Sequence, residues 1–250
     1  MSVLGKRGGF ALGQFRVKLL RYTDPDRRSL AHAAAVYLGK EDIDNIKRPL
    51  SIIRKGDTLA IFRGESARFE FHTSKVVYDH LITYTTLNMR ACGGLRANEA
   101  TVFVAPGEDS DPIYQQIGEA HLNTYRQLVH GIDPQSEDPI AKKRLQAARY
   151  VAPVSVQLHY VLDINFATLI EAMFPQRIWS PGAQYDTRMV VEEMFRLVLE
   201  QDPELWNLVY DYYGPEVYAW KRIRVKVKRE RPELYEQIMK EFGGVRSMWD

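Results

Sequence analysis

The chain has 250 residues, 45% of them hydrophobic, with 34 Lys and Arg against 32 Asp and Glu. That is enough apolar material for one domain or two small ones, and too even a charge balance to point to nucleic acid or an anionic membrane as the main partner. Cys92 is the only cysteine and no apolar run reaches membrane-spanning length, which excludes a disulfide framework, a paired-thiol metal site and a transmembrane helix, and predicts a cytoplasmic protein.

In chain order, residues 1–14 are Gly-rich and read as a flexible N-terminus. Residues 15–22 (FRVKLLRY) predict a strand. Thr23-Asp24-Pro25 then supplies capping oxygens and a proline suited to a first helical turn. The helix that follows carries Leu30, Ala33, Ala34, Tyr37 and Leu38 on one face, and Gly39 is its natural C-cap. Residues 57–63 and 68–89 are rich in Thr, Val, Ile, Tyr and Phe and predict strands, with a helix in part of the second left open.

Residues 106–112 form a loop that ends in a helix start at Asp111-Pro112. Ile113, Ile117, Tyr125 and Leu128 fall in helical rows, and Gly131 closes that helix. Further helices are expected over 140–150, 154–174 and 184–200, and after Asp202-Pro203. Strands early and helices late give an α+β fold. The basic stretch 221–231 (KRIRVKVKRER) reads as a half-buried strand with a solvated face; phosphate or RNA binding is the other reading, and nucleic acid lacks the interleaved aromatics it would favour. Cys92 reads as a small buried thiol.

Two blocks together resemble the flavin-dependent thymidylate synthases. The first is Val17 to Arg27 with the Ala-rich helix after it. The second runs through Tyr125-Arg-Gln-Leu-Val-His-Gly, Ala148-Arg149-Tyr-Val-Ala-Pro153, Asn165, Arg177 and Ala183-Gln184-Tyr-Asp-Thr-Arg188. These match, in order, the family's Tyr-x-x-Leu-x-x-x-Gly helix end, Ala-Arg-x-x-Leu-Pro segment, an Asn, an Arg and an Ala-Gln-x-Glu-x-Arg stretch. The likeness spans most of residues 15–213, leaving 214–250 as a basic extension packed on the same domain.

The resemblance implies a central, mainly antiparallel sheet packed with helices. It also implies a homotetramer with sites at subunit interfaces, and methylation of the pyrimidine nucleotide dUMP to dTMP with FAD, NADPH and methylenetetrahydrofolate. The cofactor carries the hard chemistry, so the site consists mostly of binding residues. Nucleotide contacts are expected from Arg96, Thr101, Arg149, Arg177 and Gln184, because a guanidinium can grip a phosphate bidentately where an ammonium cannot. Flavin contacts are expected from His72, His80, Asn98 and Asn165, the last a buried amide that reads equally well as a structural hydrogen-bonder.

The chain departs from the family pattern at identifiable positions. Aligning residues 96–101 with Arg-His-Arg-x-x-Ser keeps Arg96 and puts Thr101 for Ser, but leaves Ala97 and Asn98 where the family has His and Arg. Aligning Asn98-Glu99 instead with a downstream Asn-Glu pair puts Ala91-Cys92-Gly93 over the motif. Gly182 stands where the family has a His, Ala167 where it has an Arg, and the Asn165-to-Arg177 interval is about one residue longer than expected. A second reading therefore keeps the fold and drops the chemistry, giving a repurposed nucleotide-binding paralogue. A third is a flavoenzyme with another nucleotide or one-carbon substrate.

Overall fold

The computed structural model describes residues 15–56, 59–84, 90–93, 102–107, 111–133 and 136–242. Its centre is a four-stranded, wholly antiparallel sheet in the order β1-β2-β4-β3, formed by β1 (Arg16–Tyr22), β2 (Ser66–Ser74), β3 (Arg90–Gly93) and β4 (Gln157–Asn165). The α+β class and the antiparallel sheet are as expected.

Period-two patterning assigns the faces. Val17, Ala67, Phe69, Phe71, Leu158, Tyr160, Leu162 and Ile164 point into one apolar core. On the other face, register places Arg16, His72 and His159 in one cross-strand row. Lys18, Glu70, Val161 and Cys92 form the next, and Arg21, Arg68 and Asp163 the third.

The helices α1 (Arg28–Leu38), α2 (Arg48–Lys55), α3 (Lys75–Ile82), α4 (Pro112–Val129), α5 (Pro139–Ala148), α7 (Tyr185–Gln201) and α8 (Pro203–Tyr213) surround this core. A short helix α6 (Phe166–Thr168) leads into π-helical segments Leu169–Met173 and Pro175–Trp179. Proline at the first turn, with a capping carboxylate before it, opens α4, α5 and α8; the caps are Asp111, Asp138 and Asp202.

Several expectations are corrected. The helix after β1 begins at Arg28, because Arg27 is left-handed (φ 61°). Asp24 nevertheless caps it, accepting from the backbone amides of Ser29 and Leu30 at 3.1 and 2.8 Å. Its buried face is Leu30, Ala31, Ala34 and Ala35, while Tyr37 and Leu38 are exposed. Residues 59–63 form a 3₁₀ helix, not a strand, and residues 75–82, including His80, form α3. On α4 the buried positions are Gly118, Leu122 and Tyr125, whereas Ile113, Ile117 and Leu128 face outward.

Within the predicted helix over 154–174, residues 157–165 form β4, the strand paired with both β2 and β3, and the helical part begins only at Phe166. The basic stretch lies in α9 (Pro215–Glu230), an exposed helix that pairs with α10 (Pro232–Phe242); it is not a strand. Cys92 is exposed.

Gly118 lies inside α4 because Phe103, which bridges to Val156 beside the sheet, presses its ring onto the glycine. A methyl group there would overlap the ring. Gly118→Ala should therefore destabilise by about 1–3 kcal/mol despite alanine's better helix propensity, read as a lower denaturant midpoint.

Candidate functional site

Three of the predicted residues, distant in sequence, come together where α3, the second π segment and the start of α7 meet. Gln184 is the N-cap of α7, and its Oε1 accepts from the Thr187 backbone amide at 3.2 Å and from the Thr187 hydroxyl at 2.7 Å. That hydroxyl lies 2.8 Å from His80 Nδ1. Its one proton is directed at Gln184, so it accepts from His80, which assigns the Nδ1–H tautomer and leaves His80 Nε2 as an acceptor.

Arg177 closes the cluster. Its Nη2 donates to the His80 carbonyl at 3.3 Å and lies 3.5 Å from the Thr83 hydroxyl. The guanidinium carbon sits 5.5 Å from the centre of the Tyr84 ring, within cation–π range. Tyr84 is buried and donates to Gln176 Oε1 at 2.9 Å. Arg177 Nε is buried without a hydrogen-bond partner, and among the described residues no carboxylate pairs with the guanidinium. A buried cationic donor left unmatched is costly in a folded chain and marks a place where an anionic or carbonyl-bearing ligand fits.

Two π segments wind the stretch that carries Arg177, Leu169–Met173 before it and Pro175–Trp179 around it, and Arg177 projects from the second toward α3.

Burial holds the His80 imidazole below its ordinary value, and the Arg177 charge holds it down further, against the opposing pull of Asp79 and the Gln184 hydrogen bond. His80 is therefore neutral at pH 7. With a folded pKa below the unfolded one, its contribution to stability is present above the ordinary value of about 6.5 and is lost as pH falls toward the folded pKa. An NMR titration should place the His80 midpoint below the ordinary value, and Arg177→Ala should move it upward; an unmoved midpoint would show that the charge is not felt.

The other described residues of the predicted set lie on other elements. Arg149 is the C-cap of α5, half-buried at the start of the turn 149–153. Asn165 is the last residue of β4 rather than a mid-helix residue. Its buried side chain caps α6, with Oδ1 accepting from the Thr168 amide at 2.7 Å. His72 stands on the outer sheet face, stacked on His159 with centroids 4.2 Å apart. Its row is six residues along β4 from Asn165, about 20 Å at strand rise, so His72 and Asn165 of one chain stand far apart. Arg96, Asn98 and Thr101 lie outside the described residues.

Thr187, Thr83, Tyr84 and Gln176 complete the cluster but were not expected from the sequence. Thr187 alone left a signal, standing three residues after a capping-type Gln at a helix start. The loop before α4 packs on the same helix end: the Gly107 amide donates to the buried Asp186 at 3.1 Å, and a side chain at 107 would collide with that carboxylate. A separate open groove of about 650 Å³ between α1 and residues 60–64 has mainly apolar walls, including Ala33, Val36 and Ile61, and contains none of the cluster residues.

Comparison with known proteins places this architecture. A UMP/dUMP methylase, PolB from Streptomyces cacaoi, bound with 5-Br dUMP, shares the fold with a TM-score of 0.58 at 18% identity, over 80% of this chain and 96% of its own. The same enzyme bound with 5-Br UMP gives 0.55 at 17% identity, over 80% and 95%. No curated protein matches the chain by sequence. The model of the thymidylate synthase complementing protein family matches residues 18–204, and the chain belongs to that family, the flavin-dependent thymidylate synthases.

Proposed function

We propose that the protein binds a pyrimidine nucleotide at the His80–Arg177–Gln184 cluster and methylates it, most simply dUMP to dTMP. The observation that carries this reading is Arg177, a guanidinium with a buried and unmatched Nε, beside a neutral histidine and the start of α7. The structurally similar PolB is a UMP/dUMP methylase, which supports the same substrate class.

Each side chain then has a task. Arg177 holds the anionic nucleotide or a ring carbonyl. Gln184 spends its oxygen on Thr187 and so turns its amide N–H₂ outward, while His80 offers Nε2 as an acceptor. One donor beside one acceptor complements a uracil edge, whose N3–H lies between two carbonyls. In this reading His80, expected from the sequence as a flavin contact, serves the nucleotide beside Arg177 and Gln184. Arg149 adds phosphate contacts, as the family resemblance implies.

FAD, reduced by NADPH, supplies the hydride in this family and methylenetetrahydrofolate the carbon. Because His72 and Asn165 stand far apart within one chain, the reading takes the family's homotetramer, with sites completed between subunits, as the working assembly. Purified protein should show flavin absorbance, or gain it when FAD is added, and dUMP should perturb that spectrum. Colourless protein that takes up no FAD would overturn the flavin part of the reading while leaving nucleotide binding to be measured separately. Ala97, Asn98 and Gly182 favour the repurposed paralogue as the second reading; dUMP binding without turnover is its signature.

A further inference from the structure

The outer face of the sheet carries a cluster apart from the His80–Arg177–Gln184 site, and it includes His72, expected from the sequence as a flavin contact and assigned here to a metal instead. His72 on β2 and His159 on β4 are direct cross-strand partners, so their β-carbons lie about 5 Å apart on the same face. Glu70 is two residues before His72 and shares that face. Its Oε1 lies 2.7 Å from His159 Nε2, and one ligand atom from each of the three residues falls within 4.8 Å of the others. Glu70 and His72 are half-buried and His159 is exposed, so the group is anchored on strands yet open to solvent on one side.

We propose that Glu70, His72 and His159 form a binding site for a divalent transition-metal ion such as Zn²⁺. Two imidazoles and one carboxylate are a donor set suited to such ions. Bonds of about 2.0–2.2 Å place the ligand atoms of a tetrahedral centre roughly 3.4 Å apart, so the present spacing closes with side-chain rotation alone. Each imidazole lone pair lies in its ring plane, so the stacked rings, now 9° from parallel, must splay, and the open face leaves room for it. In the metal-free chain Glu70 and His159 satisfy each other. The ion enters along that line and recruits His72 from its stacked position.

The surroundings set limits on affinity. Arg16 stands opposite His72 and Lys18 opposite Glu70 in the β1–β2 register, and both repel a cation. Asp163, the nearest further carboxylate on this face, pairs with Arg21 and Arg68 and is not available. Three protein ligands leave one or more positions to water or to a small anion, which the two flanking cations favour.

The test uses full-length protein stripped with a chelator and titrated with Zn²⁺ by calorimetry, with Co²⁺ visible absorption reporting the ligand geometry. The expected result is one saturable site per chain, weakened at least about tenfold by His72→Ala or His159→Ala and also by Glu70→Gln. Cys92→Ser, in the Glu70 row but two strands away from Glu70, should leave it unchanged. Zn²⁺ should also shift the imidazole NMR signals of His72 and His159 in the unaltered protein, a readout that needs no variant. Absence of saturable binding, unmoved imidazole signals, or alanine variants that bind as tightly as the parent protein would overturn the proposal and leave the cluster as a surface ion pair.

Discussion

Arg177→Ala should weaken dUMP binding roughly a hundredfold while leaving the protein folded. The guanidinium has one weak intramolecular hydrogen bond to a backbone carbonyl, one marginal contact to Thr83 and a cation–π contact with Tyr84. Its removal therefore costs the fold little. A charge-assisted hydrogen bond to a bound anion contributes about 1.5–3 kcal/mol, and losing a paired set amounts to roughly two powers of ten in affinity. Arg177→Lys keeps the charge but not the planar fork and should fall between the two. Calorimetric titration with dUMP checks the series. Equal affinity in all three proteins would remove Arg177 from the nucleotide site.

Trp206→Ala should cost about 3–5 kcal/mol, the range for truncating a large buried aromatic. Trp206 is fully buried in α8, and its Nε1 donates to the Tyr22 hydroxyl at 2.9 Å, joining α8 to β1. Its ring meets Phe166, Phe174 and Phe195 edge-on with centroids 5.6, 5.7 and 6.4 Å away. The Tyr22 hydroxyl is held well above its usual range by burial, so it remains protonated and paired at any working pH. For a chain of this size the loss corresponds to a melting temperature lower by roughly 6–20 °C. Phe166 and Phe174 lie on the helical stretch that carries Arg177, so the same substitution should also weaken dUMP binding at temperatures where the protein remains folded. A melting temperature within about 2 °C of the parent would show that the aromatic cluster is not the keystone described.

Much of this was legible in the sequence where a local signal had a single interpretation. Proline after an Asp marked the starts of α4 and α8, and Gly39 and Gly131 ended helices with positive φ, because each residue type does one physical thing at those places. Where two periodicities overlapped, tertiary context decided. Residues 157–165 alternate as a strand should, but Val161 on the outer face joins Tyr160 and Leu162 into an apolar run that flows into Phe166 and beyond, so strand and helix read as one element. Arg-Val-Lys-Val in α9 alternates like a strand, yet Pro215 opens a helix through it.

The site divides in the same way. Arg177 and Gln184 carried a resemblance and lie together. The meeting of His80 with Gln184 through Thr187 depends on packing α3 against α7, which no local pattern encodes. Arg177 itself sits in a π segment, a winding that no local pattern in the sequence marks.

The central claim is methyl transfer to a pyrimidine nucleotide. It is tested most directly by incubating the full-length protein with dUMP, FAD, NADPH and carbon-labelled methylenetetrahydrofolate and following the label into the nucleotide. The account predicts labelled dTMP, formed by the parent protein and lost in Arg177→Ala. No label in either dUMP or UMP, from protein shown to bind both FAD and nucleotide, would contradict it.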